Sequence, residues 1–285
     1  MPKLGNEFAV RVFLIIVALY IILNIFPIIW IMILSFKPLE EIASNPFGLP
    51  LNPTLFNYEL VLGTHYKTIA ISFDAPPLIP SFITTSIVAS STVILSIVLG
   101  LMAAYGVVRF KVGSRFLPFW FLSLLFAPPI IFAFPLYYLF HTLGLLDNVF
   151  GLILANLIFN LPFSTLIFIS SLSGAPKDIE EAALIDGASW WTILWKVVAP
   201  IMRSVIVAVA ALVFIFSWNE YLFSVILMTT TKVLTVALGS YNTGQVLLYT
   251  PLAAGIVVSI IPSIIVLIFF EKYLTQGLSF GAIKG

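Results

Sequence analysis

Six apolar stretches, at residues 12–36, 81–108, 116–142, 149–173, 201–227 and 250–271, each reach the roughly 20 residues that a helix needs to cross a bilayer core. Hydrocarbon offers no water to backbone N–H and C=O groups, so a spanning segment must satisfy them itself, and a helix does this. The expected fold is therefore an all-α integral membrane bundle of six transmembrane helices. Composition agrees: 61% of the 285 residues are hydrophobic and 9% charged, against about 45–50% apolar in soluble domains. The first stretch is too long for the about 7–15-residue core of a signal peptide, and no small-x-small cleavage site follows it. It reads as an uncleaved anchor. The absence of cysteine excludes disulfides, thiolate catalysis and cysteine-held metal. A net charge of +1 without a basic cluster gives no reason to expect a nucleic-acid partner.

Lysine and arginine placement orients the spans. With the N-terminus inside, Lys3, Arg11, Arg109, Lys111, Arg115, Lys177, Lys196, Arg203, Lys272 and Lys284 gather on the inner side, and only Lys37, Lys67 and Lys232 lie outside. The even number of spans returns the C-terminus to the cytoplasm. The longest soluble piece is then an outer loop, 37–80, broken by prolines and too short for a domain, which reads as an ordered cap. This organises the chain as an anchor helix and outer loop (1–80), a transmembrane core (81–273) and a C-terminal cytoplasmic tail (274–285).

Between the fourth and fifth spans, residues 176–200 place four acids, Asp178, Glu180, Glu181 and Asp186, within nine positions. The local code predicts a short helix at about 177–187. Pro176 suits a first helical position, Asp178 and Glu180 complement the positive N-terminal end, and Gly187 is a natural stop. Ile179, Ala182, Ala183 and Asp186 recur at helical spacing on one face, and the two small alanines allow close docking in a partner's groove. By the charge rule this helix is cytoplasmic. Trp190, Trp191 and Trp195 read as packing the segment that follows it.

No phosphate loop of the form G-x-x-x-x-G-K-[ST] occurs, so ATP would have to be bound by another polypeptide. His65 and His141, the only two histidines, lack metal-ligand spacing, and no nucleophile–base cluster stands out. A membrane enzyme is a poor reading, and no cofactor or metal is expected in this chain. Pro128-Pro129 and Pro135 interrupt the third span, Pro162 the fourth and Pro262 the sixth. Such breaks either kink a packed helix or shape a hydrated path. In the fifth span, Trp218, Asn219, Glu220 and Tyr221 form the best intramembrane polar cluster. Glu220, 17 residues beyond Arg203, would lie roughly 25 Å along a continuous helix. An ionisable residue there is a functional candidate, either in a gate or substrate path or as an interhelical anchor.

Glu181-Ala182-Ala183, Gly187-Ala188 and then Pro200 resemble the coupling loop of ABC importer permeases. Further stretches are similar to carbohydrate permeases of the maltose/trehalose type. These are Pro27–Trp30 with Ser35–Pro38, Pro135–Tyr138 with Gly144–Asp147, Ser217–Tyr221, and Lys272–Gly277 with Lys284-Gly285. They run in order along nearly the whole chain and match the shorter, six-span subunit of a permease pair. Departures are the stretch 63–80, longer than usual, Val197 and Ala199 where Ile and Leu are common, and Thr84-Thr85-Ser86 where Asn-Ser is common.

The resemblance implies a MetI-like bundle and import by alternating access. It assigns Glu181, Ala182, Ala183, Asp186, Gly187 and Ala188 to ATPase coupling, and Trp218, Asn219, Glu220 and Tyr221 to the substrate path or gate. It implies as partners a second permease, two ATPase subunits that carry ATP and Mg, an extracytoplasmic sugar-binding protein, a sugar and membrane lipid. The tail, about Gly277–Gly285, would reach into the ATPase interface. Two other classes remain at this level. A non-sugar ABC importer would share the coupling helix, and a stand-alone secondary transporter would need an ionisable relay or inverted repeat that is not visible.

Overall fold

The computed structural model describes residues 4–63, 77–113, 115–242 and 248–282, and it is helical, with no strand among the described residues. Lys3, His65, Lys67, Lys284 and most of the long stretch 63–80 lie outside the described residues. Among the described residues, four helices are long and apolar enough to cross a membrane, or six if each of two bent pairs is one span. The chain divides into two units, residues 1–79 with 238–260, and residues 80–237 with 261–285.

In the first unit, α1 (Leu4–Ser35) is apolar, largely exposed from Ala9 to Ile29 and increasingly covered toward Ser35, which is buried. The polypeptide after it is locked by buried polar groups. Lys37, which reads from sequence as an outer-side cation, is fully buried, and its Nζ donates to the carbonyls of Asn45 (2.6 Å) and Gly48 (2.7 Å). Two short helices, α2 (Glu41–Ser44) and α3 (Phe56–Leu62), follow. Asn57 on α3 donates to the carbonyls of Ser35 and Lys37, both at 2.9 Å, and accepts from Thr250 at 3.2 Å. A buried side chain that satisfies three backbone or hydroxyl groups fixes a loop that has little apolar core of its own.

The second unit is built on α4 (Ile79–Arg109) and α7 (Val149–Ser173). They approach closely at Gly100, where a Cβ would stand 3.3 Å from that of Ser164, the small-on-small contact that lets membrane helices pack. One apolar cluster joins Leu101 and Tyr105 of α4, Phe168 and Leu172 of α7, and Ile193 and Val198 beyond them. A second joins Val88, Leu152 and Phe140 to Phe223, Leu227 and Met228.

The third and fifth sequence-predicted spans are not continuous helices. Residues 116–142 form α5 (Phe116–Phe126) and α6 (Ile130–Thr142), bent by 100° at Pro128-Pro129. Two adjacent prolines remove two N–H donors and force a break where one proline would only kink. At 11 and 13 residues the pieces are about 16 and 20 Å long, each short of a core about 30 Å thick. Likewise, the acidic helix α8 (Asp178–Ile185) leads into α9 (Trp190–Ile201), which turns by 81° at Met202 into α10 (Arg203–Trp218). Within α9 the turn Leu194–Val198 is π-helical just before Pro200, which cannot donate to the Lys196 carbonyl. Beyond α10 lie α11 (Leu222–Leu227), α12 (Leu234–Gly239) and α13 (Tyr249–Ala282).

Asp147 ties the turn before α7 to the stretch after α11. Its backbone is left-handed (φ 53°), and Oδ1 accepts from the amides of Thr229, Thr230 and Thr231 at 3.1, 3.1 and 3.0 Å. Burial alone would raise its pKa; the amides of Thr231, Thr230 and Thr229 outweigh it and hold the carboxyl below its ordinary value.

Candidate functional site

The acidic helix α8 runs from Asp178 to Ile185, one residue later at its start and two earlier at its end than the 177–187 read from sequence. Its stop is a complete Schellman motif. The Gly187 amide donates to the Leu184 carbonyl (3.0 Å) and the Ala188 amide to the Ala183 carbonyl (2.9 Å), with Gly187 at φ +81°. Nothing lies within 4 Å of a Cβ built there, so the glycine is required by the backbone alone. Ser189 then caps α9, accepting from the Thr192 amide at 3.2 Å.

One residue of the face read from sequence, Ala183, lies elsewhere. Ile179, Ala182 and Asp186 are exposed, as is Glu181, and Ile185 is 87% exposed. Ala183, grouped with that face by spacing, turns partly inward with Leu184 and Ala188 onto the Leu101–Phe168 cluster. A helix this short, docked edge-on, exposes only about half its circumference, and Ala183 sits at the boundary. Trp190 and Trp191 keep much of their surface exposed, yet Trp190 meets Phe110 edge-on at 5.0 Å and Trp191 meets Trp195 edge-on at 5.6 Å.

Glu180 does more than complement the helix dipole. It is buried, and its carboxylate takes a forked pair from Arg109: Nη2 to Oε1 at 2.6 Å and Nε to both oxygens at 3.0 Å. The Tyr105 hydroxyl donates to Oε2 at 3.1 Å. Charge-assisted, planar contacts of this kind fix orientation as well as distance. They clasp α8 to the end of α4. The signal was present in the sequence, because Arg109 ends an apolar span and needs an acid within reach, but spacing alone could not say which of four acids it meets.

The Trp218–Tyr221 cluster separates into different roles. Helix α10 ends at Trp218, so Glu220 lies in a break and not on a continuous helix. Trp218 is buried, edge-on to Phe82 and stacked on Phe214, both at 5.3 Å. Asn219 is exposed, and its amide donates back to the Ile215 carbonyl at 2.8 Å. The Glu220 carboxyl accepts from the amides of Phe223 (2.6 Å) and Ser224 (3.0 Å) and from the Ser224 hydroxyl (2.6 Å), satisfying the first turn of α11. Its own carbonyl accepts from Thr235 at 2.7 Å. Thr85, at the departure from the family pattern, accepts from the neighbouring Leu234 amide at 2.8 Å.

Glu220 and Tyr221 line a cavity of about 320 Å³, together with Pro129 from the double-proline break and Asn156, Phe159 and Asn160 from α7. Sequence reading passed over Asn156 and Asn160. Four residues apart within an apolar span, two amides on one helix face were a legible signal. Among the described residues no group of three or more His, Cys, Asp or Glu could hold a metal.

Residues 96–280, well over half the chain, match the family described as binding-protein-dependent transport system inner membrane component. The chain belongs to this family. Its members are transport components and not enzymes. This inner membrane component is 33% identical over 271 residues to the diacetylchitobiose uptake system permease protein of Streptomyces coelicolor, covering 93% of this chain and 86% of that one. It is 32% identical to the trehalose/maltose transport system permease protein of Thermococcus litoralis, over 98% and 99% of the two chains. In fold it is similar to a chain of a bacterial ABC transporter involved in the import of the acidic polysaccharide alginate. There the TM-score is 0.76 at 22% identity, covering 96% of this chain and 99% of that one.

Proposed function

We propose that this inner membrane component is one permease of a pair in an ATP-driven importer of carbohydrate. Two ATPase subunits would carry ATP and Mg on its cytoplasmic side, and a sugar-binding protein would deliver substrate from outside. The observation that carries the coupling role is α8, which presents Ile179, Ala182 and Ile185 to solvent while Glu180 is clasped by Arg109. Exposed aliphatic and small side chains on a soluble helix are a docking face in want of a groove, and Glu181 and Asp186 offer a basic partner its counter-charges. Sugar as the cargo is supported by relatives that align over nearly their whole length and carry diacetylchitobiose, trehalose or maltose in their names. The termini are assigned to the cytoplasm on the lysine and arginine distribution, and the segment 274–285 to a tail on that side.

The geometry supports a route from coupling helix to cavity. Helix α4, with 31 residues, is about 46 Å long. One end grips Glu180, and near the other Thr85 holds the Leu234 amide, next to Thr235, which holds the Glu220 carbonyl. ATPase closure shifts the permease only by binding one of its conformations better than another, and a rod clasped at both ends transmits that preference. The test is reconstitution in proteoliposomes with its ATPase, second permease and binding protein, and uptake of tritiated maltose, trehalose and diacetylchitobiose. ATP-dependent uptake of at least one is expected. Uptake that proceeds without the ATPase, or cargo that is no sugar, overturns the reading.

A further inference from the structure

We propose that residues 45–51, part of the stretch that reads from sequence as a soluble outer cap, lie in the outer boundary of the bilayer, with Phe47, Leu49 and Leu51 set among the lipids. The segment is built inside out. Lys37 and Glu41 are buried beneath it, while Phe47, Leu49 and Leu51 are 85%, 70% and 74% exposed. No residue from Ile42 to Tyr58 is charged. Charges turned inward beneath clustered apolar side chains are the reverse of a loop that faces water. The backbone takes its partners from within. Lys37 Nζ donates to the Asn45 and Gly48 carbonyls, Asn45 Nδ2 donates to the Leu49 carbonyl at 3.0 Å, and the Leu51 amide donates to Glu41 Oε1 at 3.0 Å. Pro46 and Pro50 have no N–H to satisfy. Irregular backbone can leave bulk water only when its polar groups are accounted for in this way.

Aromatic contacts fix the level at which this face sits. Arg11 marks one border of the α1 span, and Trp30 comes 19 residues later. That is about 28 Å along the helix, which brings Trp30 to the far border of a hydrocarbon core about 30 Å thick. Tryptophan favours that border. The Trp30 ring lies 6.3 Å from Phe26, one turn below it, and 6.3 Å from Phe47. An aromatic row on the membrane helix therefore continues into the segment and holds Phe47 at the edge of the core. From Ala9 to Ile29 α1 is exposed on every side, more than one protein neighbour would cover. A soluble binding protein stands in water beyond the headgroups and does not reach the level of Trp30. Lipid does, and an uncharged, apolar face whose polar groups point inward is what an interfacial segment presents to it.

The chain has no cysteine, so single labelling sites can be introduced cleanly. Leu49→Cys and Leu51→Cys are spin-labelled in the full complex, with its other subunits freed of cysteine, in nanodiscs of phosphatidylethanolamine and phosphatidylglycerol. Ile22→Cys, within the α1 span, is the lipid standard, and free label in buffer is the water standard. Paramagnetic resonance then reads collisions with oxygen, which concentrates in lipid, and with nickel–EDDA, which stays in water. Labels at 49 and 51 are expected to collide more with oxygen than with nickel, as the label at 22 does. Collisions dominated by nickel would put the segment in water, and protection from both reagents would mean that a second permease or another protein covers it; either result overturns the proposal. Failure of both Leu49→Cys and Leu51→Cys to assemble would show these side chains packed against protein and overturns it too. Adding Phe47→Ser to the complex labelled at 51 removes the ring that meets Trp30 and should shift the balance toward nickel; an unshifted balance overturns the Trp30–Phe47 contact as what holds the segment at the border.

Discussion

Replacing Arg109 by Met should damage this protein more than its position at a helix end suggests. The Arg109 and Glu180 side chains are each 7% exposed. Without Arg109 the carboxylate keeps only the Tyr105 hydroxyl, at 3.1 Å. Breaking a buried pair from one side costs about 3–5 kcal/mol, because a charge is left uncompensated. On the scale of a domain of 150–250 residues, about 2–4 °C per kcal/mol, the loss is about 6–20 °C in Tm. The double substitution Arg109→Met with Glu180→Leu removes the stranded charge and fills the space with apolar atoms, an exchange that is often neutral or stabilising. It should return to within about 5 °C of the parent. Both variants lose the fork that orients α8, so both should show reduced binding-protein stimulation of ATP hydrolysis. Thermal unfolding of the purified complex, followed by size-exclusion chromatography, gives the four corners of the cycle. If the double variant is as unstable as the sum of the singles, the pair is not coupled and the clasp is wrong.

Three further outcomes are expected. Ala182→Trp adds bulk to an exposed position of α8 and should insert at parental yield yet transport poorly, whereas Ala183→Trp presses on the chain's own core and should lower yield as well; normal uptake by Ala182→Trp at parental yield would count against ATPase docking on that face. Gly187→Val forces a side chain into a left-handed conformation at a cost of about 1–2 kcal/mol with no steric clash, so binding-protein-stimulated hydrolysis should fall while basal hydrolysis survives, and Gly187→Asn should recover much of it; unchanged stimulation in the Val variant would remove the role. Glu220→Ala strips three hydrogen bonds from the start of α11 and should reduce the yield of assembled complex, while Asn219→Ala, exposed and bonded only to its own helix, should leave yield intact; measuring yield and uptake together on both decides whether Glu220 is an anchor, a path residue or both.

The apolar runs, the acid-rich helix and its glycine stop were legible in the sequence, because each is written in local code. A bilayer demands length and apolarity, a helix end demands caps, and a left-handed residue demands glycine. Membership of the family followed from the same local stretches taken in order. What the sequence left open depended on which side of an element meets which neighbour. The double proline announced a break but not one of 100°, and the end of α10 at Trp218 moved Glu220 off the helix that spacing had placed it on. The choice of Glu180 over three neighbouring acids as the partner of Arg109 depended on the approach of α4 to α8, since all four carboxylates have the same chemistry and only one is turned inward. Asn156 shows the same division. Its residue type and place in an apolar span were plain from the sequence, but its unpaired oxygen was a matter of packing. The Leu152 carbonyl took the nitrogen, and burial left the oxygen without a partner.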